Sequence, residues 1–348
     1  MKRVAPPIEA SAGFPGHPKP LDARLRRIVL GAGILAAAPP LWAAARGAYP
    51  ARVIKLVVPL PPGSPIDTAG RLFARNLSRT LGATVIVENK PGAGATLGTA
   101  EVARSKPDGY TLLFTVPDPL VSAPFTMQVP YDPQRDFRLV SKVAESISGP
   151  VLLTQSTASV NDLAGLIKDA RSSSAPRTYA SFGPASYPQL ILESLARQAG
   201  IKLTEVPYRG SPPAMQDLIA GEVNLAFASV ENALPHLAAG KIKPIAIVDK
   251  SPRFPGVQTF SEAGFDGFVF RSKPWHGLLA PAGTPEAVIQ KLALAAKAAA
   301  NDPGFRKSLE DLGFRAIGSS PGEFLESYRA EASAIPALIK SLGIGSRP

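Results

Sequence analysis

Two loops in this sequence gather the residue types that hold a small anion. One runs Pro59-Leu-Pro-Pro-Gly-Ser-Pro-Ile-Asp67, the other Tyr179-Ala-Ser-Phe-Gly-Pro-Ala-Ser186. Each joins a strand-like run to a helix-like run. The first amides of a helix have no intrahelical acceptor and carry partial positive charge, so such junctions attract carboxylates. In the first loop Pro62, Gly63 and Ser64 are candidate ligand neighbours: glycine lets the backbone come close, and serine adds a hydroxyl. Pro61, Pro62 and Pro65 have no N–H, which stiffens the loop and removes three donors. Asp67 or Thr68 is expected to cap the helix that follows. In the second loop Ser181 and Ser186 offer hydroxyls, and Gly183 and Ala185 offer backbone N–H groups.

Catalytic constellations are not evident. The three histidines are His17, His236 and His276, and there is no Gly-x-Ser-x-Gly elbow or His-Glu-x-x-His helix. His236 and His276 read as packing or surface residues. The absence of cysteine excludes disulfides, thiolate chemistry and cysteine-bound metal. Gly92-Ala-Gly94-Ala-Thr-Leu-Gly98 has the wrong spacing for a dinucleotide loop. The expectation is a binding protein with no cofactor, no metal and no enzymatic activity. The alternatives are an enzyme of the same fold acting on a small carboxylic acid, which needs an acid–base pair in the cleft, or a ligand sensor partner without a transport role.

The elements that must position these loops alternate strand and helix, the pattern of a parallel α/β architecture. Val53 to Val58, Thr84 to Val87 and Thr111 to Thr115 read as strands. Between the first two, Ala69, Leu72, Phe73, Leu77 and Leu81 fall on one helix face. A turn-rich connector, Tyr131 to Phe137, precedes an apolar strand around Pro150 to Thr154. Alternation resumes through Asn161–Arg171, Tyr179–Phe182, Gln189–Ala199, Met215–Ala220, Val223–Ala228 and Glu231–Ala239, and Pro244 to Asp249 leads back. Thr284 and the capping box Ser320-Pro-Gly-Glu323 start two further helices. The expected lobes are residues 49–148 with 250–348, and residues 149–249. Two crossings between two lobes are the plan of a hinged binding protein.

The 348 residues carry a net charge of +11, of which residues 1–48 hold +5. The basic residues are scattered without an aromatic ladder, so nucleic acid is not an expected partner. Arg24, Arg26 and Arg27 precede an uncharged run from Ile28 to Leu41 and then Ala43-Ala-Ala45. That order is a secretory signal, with cleavage expected after Ala45 and a periplasmic mature protein.

Several motifs in order resemble the substrate-binding receptors of tripartite tricarboxylate transporters, the Bug receptors. They are Val87-Glu-Asn-Lys-Pro-Gly-Ala-Gly94, Pro107-Asp-Gly-Tyr-Thr-Leu112, Tyr131-Asp-Pro-Gln-Arg-Asp-Phe137, Val206-Pro-Tyr-Arg-Gly210, Glu262-Ala-Gly264 and Pro281-Ala-Gly-Thr-Pro285. The resemblance spans Tyr49 to Ile344. It implies a two-lobed type II periplasmic-binding-protein-like fold with a hinged central cleft, a small carboxylate ligand, and delivery to membrane permease subunits or a sensor protein by a monomeric receptor. It makes Asp67 a residue that receives a ligand amino group or a water, and sets Tyr208 and Ser229 beside the cleft. Trp275 matches a family tryptophan that walls the cleft or the lobe interface. This chain departs from the family where two adjacent glycines usually precede the aspartate, here Gly63-Ser64. It departs again at Ala185, which replaces a second glycine, and at Tyr187-Pro188, where a histidine is common. Those departures imply a reshaped pocket.

Overall fold

The computed structural model describes residues 49–345; the expected export leader lies outside them. Chain order runs β1 (Ile54–Val58), α1 (Pro65–Leu81), β2 (Val85–Asn89), α2 (Thr96–Ala103), β3 (Thr111–Thr115), α3 (Asp118–Val121), α4 (Ala123–Thr126) and β4 (Phe137–Ser146). Then come β5 (Val151–Gln155), α5 (Leu163–Ser172), β6 (Arg177–Ser181), α6 (Tyr187–Ala199), β7 (Leu203–Pro207), α7 (Ser211–Ala220), β8 (Ala226–Ala228), α8 (Val230–Ala238) and β9 (Ile242–Ile247). The chain closes with β10 (Trp275–Pro281), α9 (Glu286–Asn301), α10 (Pro303–Asp311), β11 (Phe314–Ala316) and α11 (Pro321–Leu342).

A six-stranded sheet has the order β11-β4-β10-β3-β1-β2. The second group of strands forms β8-β5-β9 and the parallel pair β6-β7, with Tyr179 bridging in parallel to Leu225. The large sheet is mixed rather than parallel. β1, β2 and β3 are parallel, but β10 runs antiparallel between β3 and β4. Alternating strands and helices pointed to a parallel sheet; β4, β10 and β11 come from stretches that were not read as strands.

Both faces of the large sheet are covered, which is why its strands read as unbroken apolar runs. Ile54, Leu56 and Val58 face α1, α9 and α10, while Val57 and Leu113 face the other side. Ala69, Phe73 and Leu77 of α1 are buried as their spacing predicted, and Phe73 stacks on Phe114 at 5.4 Å. Each such large side chain contributes roughly 1.5–3 kcal/mol. The helix begins earlier than expected. Ser64 is extended (φ −68°, ψ 157°) and Pro65 opens the first turn, so Asp67 lies inside the helix. Proline at this position loses no hydrogen bond and brings its φ preset.

One apolar cluster runs from Val57, Leu113 and Trp275 through Phe260, Phe270 and Ile335 to Leu152, Tyr179 and Phe227. It ties the two strand groups together, and α11 packs on both β4 and α6. The chain passes between the groups twice, after β4 and after β9. At the crossings the Asp249 amide donates to the Ser148 carbonyl at 2.9 Å. Gly149 has φ +69°, and a Cβ there would meet Val248 at 2.7 Å.

Candidate functional site at the carboxyl edges of two strand groups

Parallel pairing places the ends of β1, β2 and β3 along one edge, so loops 59–64, 90–95 and 116–118 neighbour one another. The ends of β6, β7 and β8 do the same for loops 182–186, 208–210 and Ser229. Carboxyl edges of α/β sheets are where small ligands bind. Among the described residues the non-glycine residues with positive φ are Ala93 (46°), Ala95 (71°) and Ala185 (54°). All three sit in these loops. Strained backbone of this kind concentrates at ligand sites.

The first loop is a tight turn. The Ser64 amide donates to the Pro61 carbonyl at 3.3 Å, and Gly63 takes φ +80° at the third position. This is a type II turn, which requires a positive φ there and favours proline just before it, here Pro62. The Ser64 hydroxyl also donates to the Pro61 carbonyl, at 2.7 Å. Asp67 is only 3% exposed and braces the turn. It accepts from the Gly63 amide (2.9 Å), Arg71 Nε (3.1 Å) and Asn89 Nδ2 (2.9 Å). Burial by itself would raise the Asp67 carboxyl. The hydrogen bonds from Arg71, Gly63 and Asn89 outweigh it and hold the carboxyl below its usual range. Asn89 donates in addition to the Leu60 carbonyl at 3.0 Å, and its Oδ1 accepts from Arg71 at 2.8 Å. The donors that reach the carboxylate among the described residues are thus the protein's own Gly63, Arg71 and Asn89.

The second loop has a matching brace. Ser181 is fully buried and its hydroxyl donates to Glu205 Oε1 at 2.5 Å. Gln189 Nε2 donates to Glu205 Oε2 at 2.8 Å, and Gln189 Oε1 accepts from the Ala185 amide at 2.6 Å. The Gly183 amide donates to the Ser181 hydroxyl at 3.3 Å. The Ser186 oxygen accepts from the Phe182 amide at 3.1 Å, which leaves its own proton free to donate. Ser229 caps α8 by accepting from the Asn232 amide at 3.3 Å and likewise keeps its proton. Tyr208 is half-buried; its amide donates to the Ser181 carbonyl at 2.9 Å and its hydroxyl to Asp217 at 2.7 Å.

The structure thus brings the predicted residues to two neighbouring sets of loops but turns their donors inward. Gly63, Gly183 and Ala185 spend their amides inside the loops. The first-turn amides of Ile66 and Asp67 in α1, and of Tyr187 and Gln189 in α6, have no partner among the described residues. Sequence reasoning missed Asn89, Arg71, Glu205 and Gln189. The Asn89 signal was present in the Val-Glu-Asn-Lys-Pro motif, and Glu205 stands one residue before the Val206-Pro-Tyr-Arg-Gly motif. Trp275 is buried, donates from Nε1 to Glu331 at 2.7 Å, and packs edge-on against Phe324. His236 lies half-buried on α8, and His276 is buried between Phe114 and Phe314.

A small cavity of about 60 Å³ joins the two strand groups, bounded by Pro117 and Asp118 after β3 and by Ala185 and Tyr187 after β6. No helix among the described residues is long and apolar enough to cross a membrane.

Residues 69–344 match the model of the tripartite tricarboxylate transporter family receptor. The periplasmic binding protein BugD is 30% identical with a TM-score of 0.72, covering 86% of this chain and 100% of its own. A Rhodopseudomonas palustris protein solved with adipate is 29% identical, TM-score 0.74, with 86% of this chain and 100% of that one covered. MatC of the same organism, solved with bound malate, is 31% identical, TM-score 0.71, with 84% and 100% covered. The fold is accordingly the two-lobed α/β fold of periplasmic binding proteins, and the chain belongs to the family of tripartite tricarboxylate transporter receptors, the Bug receptors.

Proposed function

We propose that this protein is an exported, monomeric periplasmic receptor that captures a small organic carboxylate between its lobes. The observation that carries the reading is the pair of helix starts at the carboxyl edges of the two strand groups. Unpartnered amides of α1 (Ile66, Asp67) and α6 (Tyr187, Gln189) lie in the two sets of carboxyl-edge loops that one interlobe cavity connects. Such amides stabilise a carboxylate without a compensating cation. The hydroxyls of Ser186 and Ser229 add donors, while Pro62, Gly63, Ser64, Ser181, Gly183, Ala185 and Tyr208 shape the walls.

The lobes of this reading are residues 49–148 with 250–348, and residues 149–249. The crossings at Ser148–Gly149 and Val248–Asp249 form the hinge. Closure buries the ligand and marks the loaded state for membrane permease subunits or a sensor, and ligand must favour the closed form for this to work. The adipate-bound and malate-bound relatives support carboxylate capture. The leader's charged, apolar and small-residue order supports export.

A thermal-shift screen against small carboxylic acids tests capture. A true ligand at 100 times its Kd stabilises the protein by roughly 2.7 kcal/mol. Small-angle scattering with the best ligand then tests closure: the radius of gyration falls at saturation. Unchanged dimensions at full occupancy would overturn the closing receptor.

A further inference from the structure

The start of α6 carries a capping-box sequence that the fold leaves open. Ser186-Tyr-Pro-Gln189 has serine just before the helix and glutamine three residues on, the spacing at which each side chain bonds the other residue's amide. Ser320-Pro-Gly-Glu323 has the same spacing at the start of α11, and there the box is closed. The Glu323 amide donates to the Ser320 hydroxyl at 3.2 Å, and the Ser320 amide donates to Glu323 at 2.8 Å. At α6 neither bond forms.

Glu205 accounts for the difference. It lies half-buried on β7, with no lysine or arginine within 4.0 Å among the described residues. Two neutral donors serve it instead: Ser181 Oγ on one oxygen at 2.5 Å, and Gln189 Nε2 on the other at 2.8 Å. A carboxylate accepts and cannot donate, so it dictates how both partners turn. Ser181 gives up its proton. Gln189 presents its nitrogen, which aims its oxygen at the Ala185 amide, 2.6 Å away. A reversed Gln189 amide would set oxygen against the carboxylate and N–H against N–H.

The relay opens both halves of the box. With the Gln189 side chain held at Ala185, the Ser186 amide bonds to the Gly183 carbonyl at 3.1 Å. The Ser186 oxygen takes the Phe182 amide at 3.1 Å. Nothing among the described residues then takes the Gln189 N–H. The same grip holds Ala185 at φ 54°, a conformation alanine rarely adopts. Ser181, Ala185 and Gln189 are all buried, so water does not compete for these bonds. An unmade cap and a strained alanine both lower stability, and such strain persists only where its surroundings over-determine it.

We propose that Glu205 is a positioning residue for ligand capture: through Gln189 it keeps the α6 capping box open, so that the Gln189 N–H stays available to the ligand carboxylate. This rests on the receptor reading above and names a residue that sets affinity by acting through another.

Glu205→Gln tests it. One acceptor is left for two donors, so Gln189 is released and the box closes. In the ligand-free protein, amide exchange followed by NMR should quicken at Ala185 and slow at Gln189. Binding is measured by calorimetry with malate, adipate, succinate and benzoate. Whichever acids bind should weaken roughly tenfold, the scale of one lost hydrogen bond to a charged group. The melting temperature should hold or rise, because a cap is gained. The exchanged pair, Gln189→Glu with Glu205→Gln, rebuilds every bond of the relay with the charge at its other end. It should return most of the affinity and the natural exchange pattern, and it decides the matter if Glu205→Gln alone does not fold. Unchanged affinity in folded Glu205→Gln overturns the proposal. So does faster exchange at both amides with a lower melting temperature, the mark of a purely structural brace. A folded exchanged pair that binds no better than Glu205→Gln also overturns it, as does failure of both variants to fold. A natural protein that binds none of the four acids overturns the capture reading, while the exchange rates still decide the relay.

Discussion

His276 shows how one residue can be spent on packing at a cost that depends on pH. Its ring stacks on Phe314 at 4.3 Å and tilts against Phe114, and its buried Nδ1 has no hydrogen-bond partner. Desolvation lowers its pKa from 6.5 to about 3. The folded protein therefore keeps the imidazole neutral where the unfolded chain takes up a proton. Above pH 6.5 this has no effect; below it, stability falls by up to about 1.4 kcal/mol per pH unit until pH 3 or so. Replacing the ring with His276→Phe removes both the proton linkage and the orphaned nitrogen. Urea unfolding at pH 7 and pH 4.5 should show the variant gaining on the natural protein as pH falls. An identical acid slope in both proteins would remove His276 as the source.

At the scale of elements, the two loops proposed to hold the anion are built alike: a strand end, a tight turn, a helix start and a carboxylate brace from a residue deeper in the fold. Asp67 with Asn89 braces the first, and Glu205 with Gln189 braces the second. Ala185 is where this construction is strained. It is buried at φ 54°, a conformation costing an L-residue roughly 1–2 kcal/mol, and its side chain lines the interlobe cavity. Ala185→Gly relieves that strain but adds freedom to the unfolded chain. The expected net is a gain of up to about 1 kcal/mol in chemical denaturation. The widened cavity should also alter ligand selectivity in the thermal-shift screen. A clear loss of stability would mean that the Ala185 methyl contributes more by packing than its backbone costs.

At the scale of the whole molecule, two strand groups share one apolar cluster and two backbone crossings, and the closing receptor proposed above hinges at residues 148–149 and 248–249. Gly149 permits the close crossing because a side chain there would press on Val248 and its φ is positive. Gly149→Ala should cost about 1–3 kcal/mol in unfolding free energy through strain and overpacking. It should also change the scattering difference between free and ligand-saturated protein more than it changes the loop contacts. A variant with unchanged stability and unchanged closure would place the hinge elsewhere.

Local pattern was enough for much of this. Ala69, Phe73 and Leu77 announced a buried helix face, Ser320 and Glu323 announced a capping box that the structure contains, and ordered motifs announced the family. These depend on neighbours within a turn or two of chain, where spacing alone dictates contact. Strand direction in the large sheet, the commitment of Asp67 to Asn89 and the pairing of Ser181 with Glu205 were decided only by the tertiary structure. In each case the deciding partner lies on another element. Whether a carboxylate is free for a ligand depends on which distant donors reach it, and only the packed chain brings those donors within hydrogen-bond range.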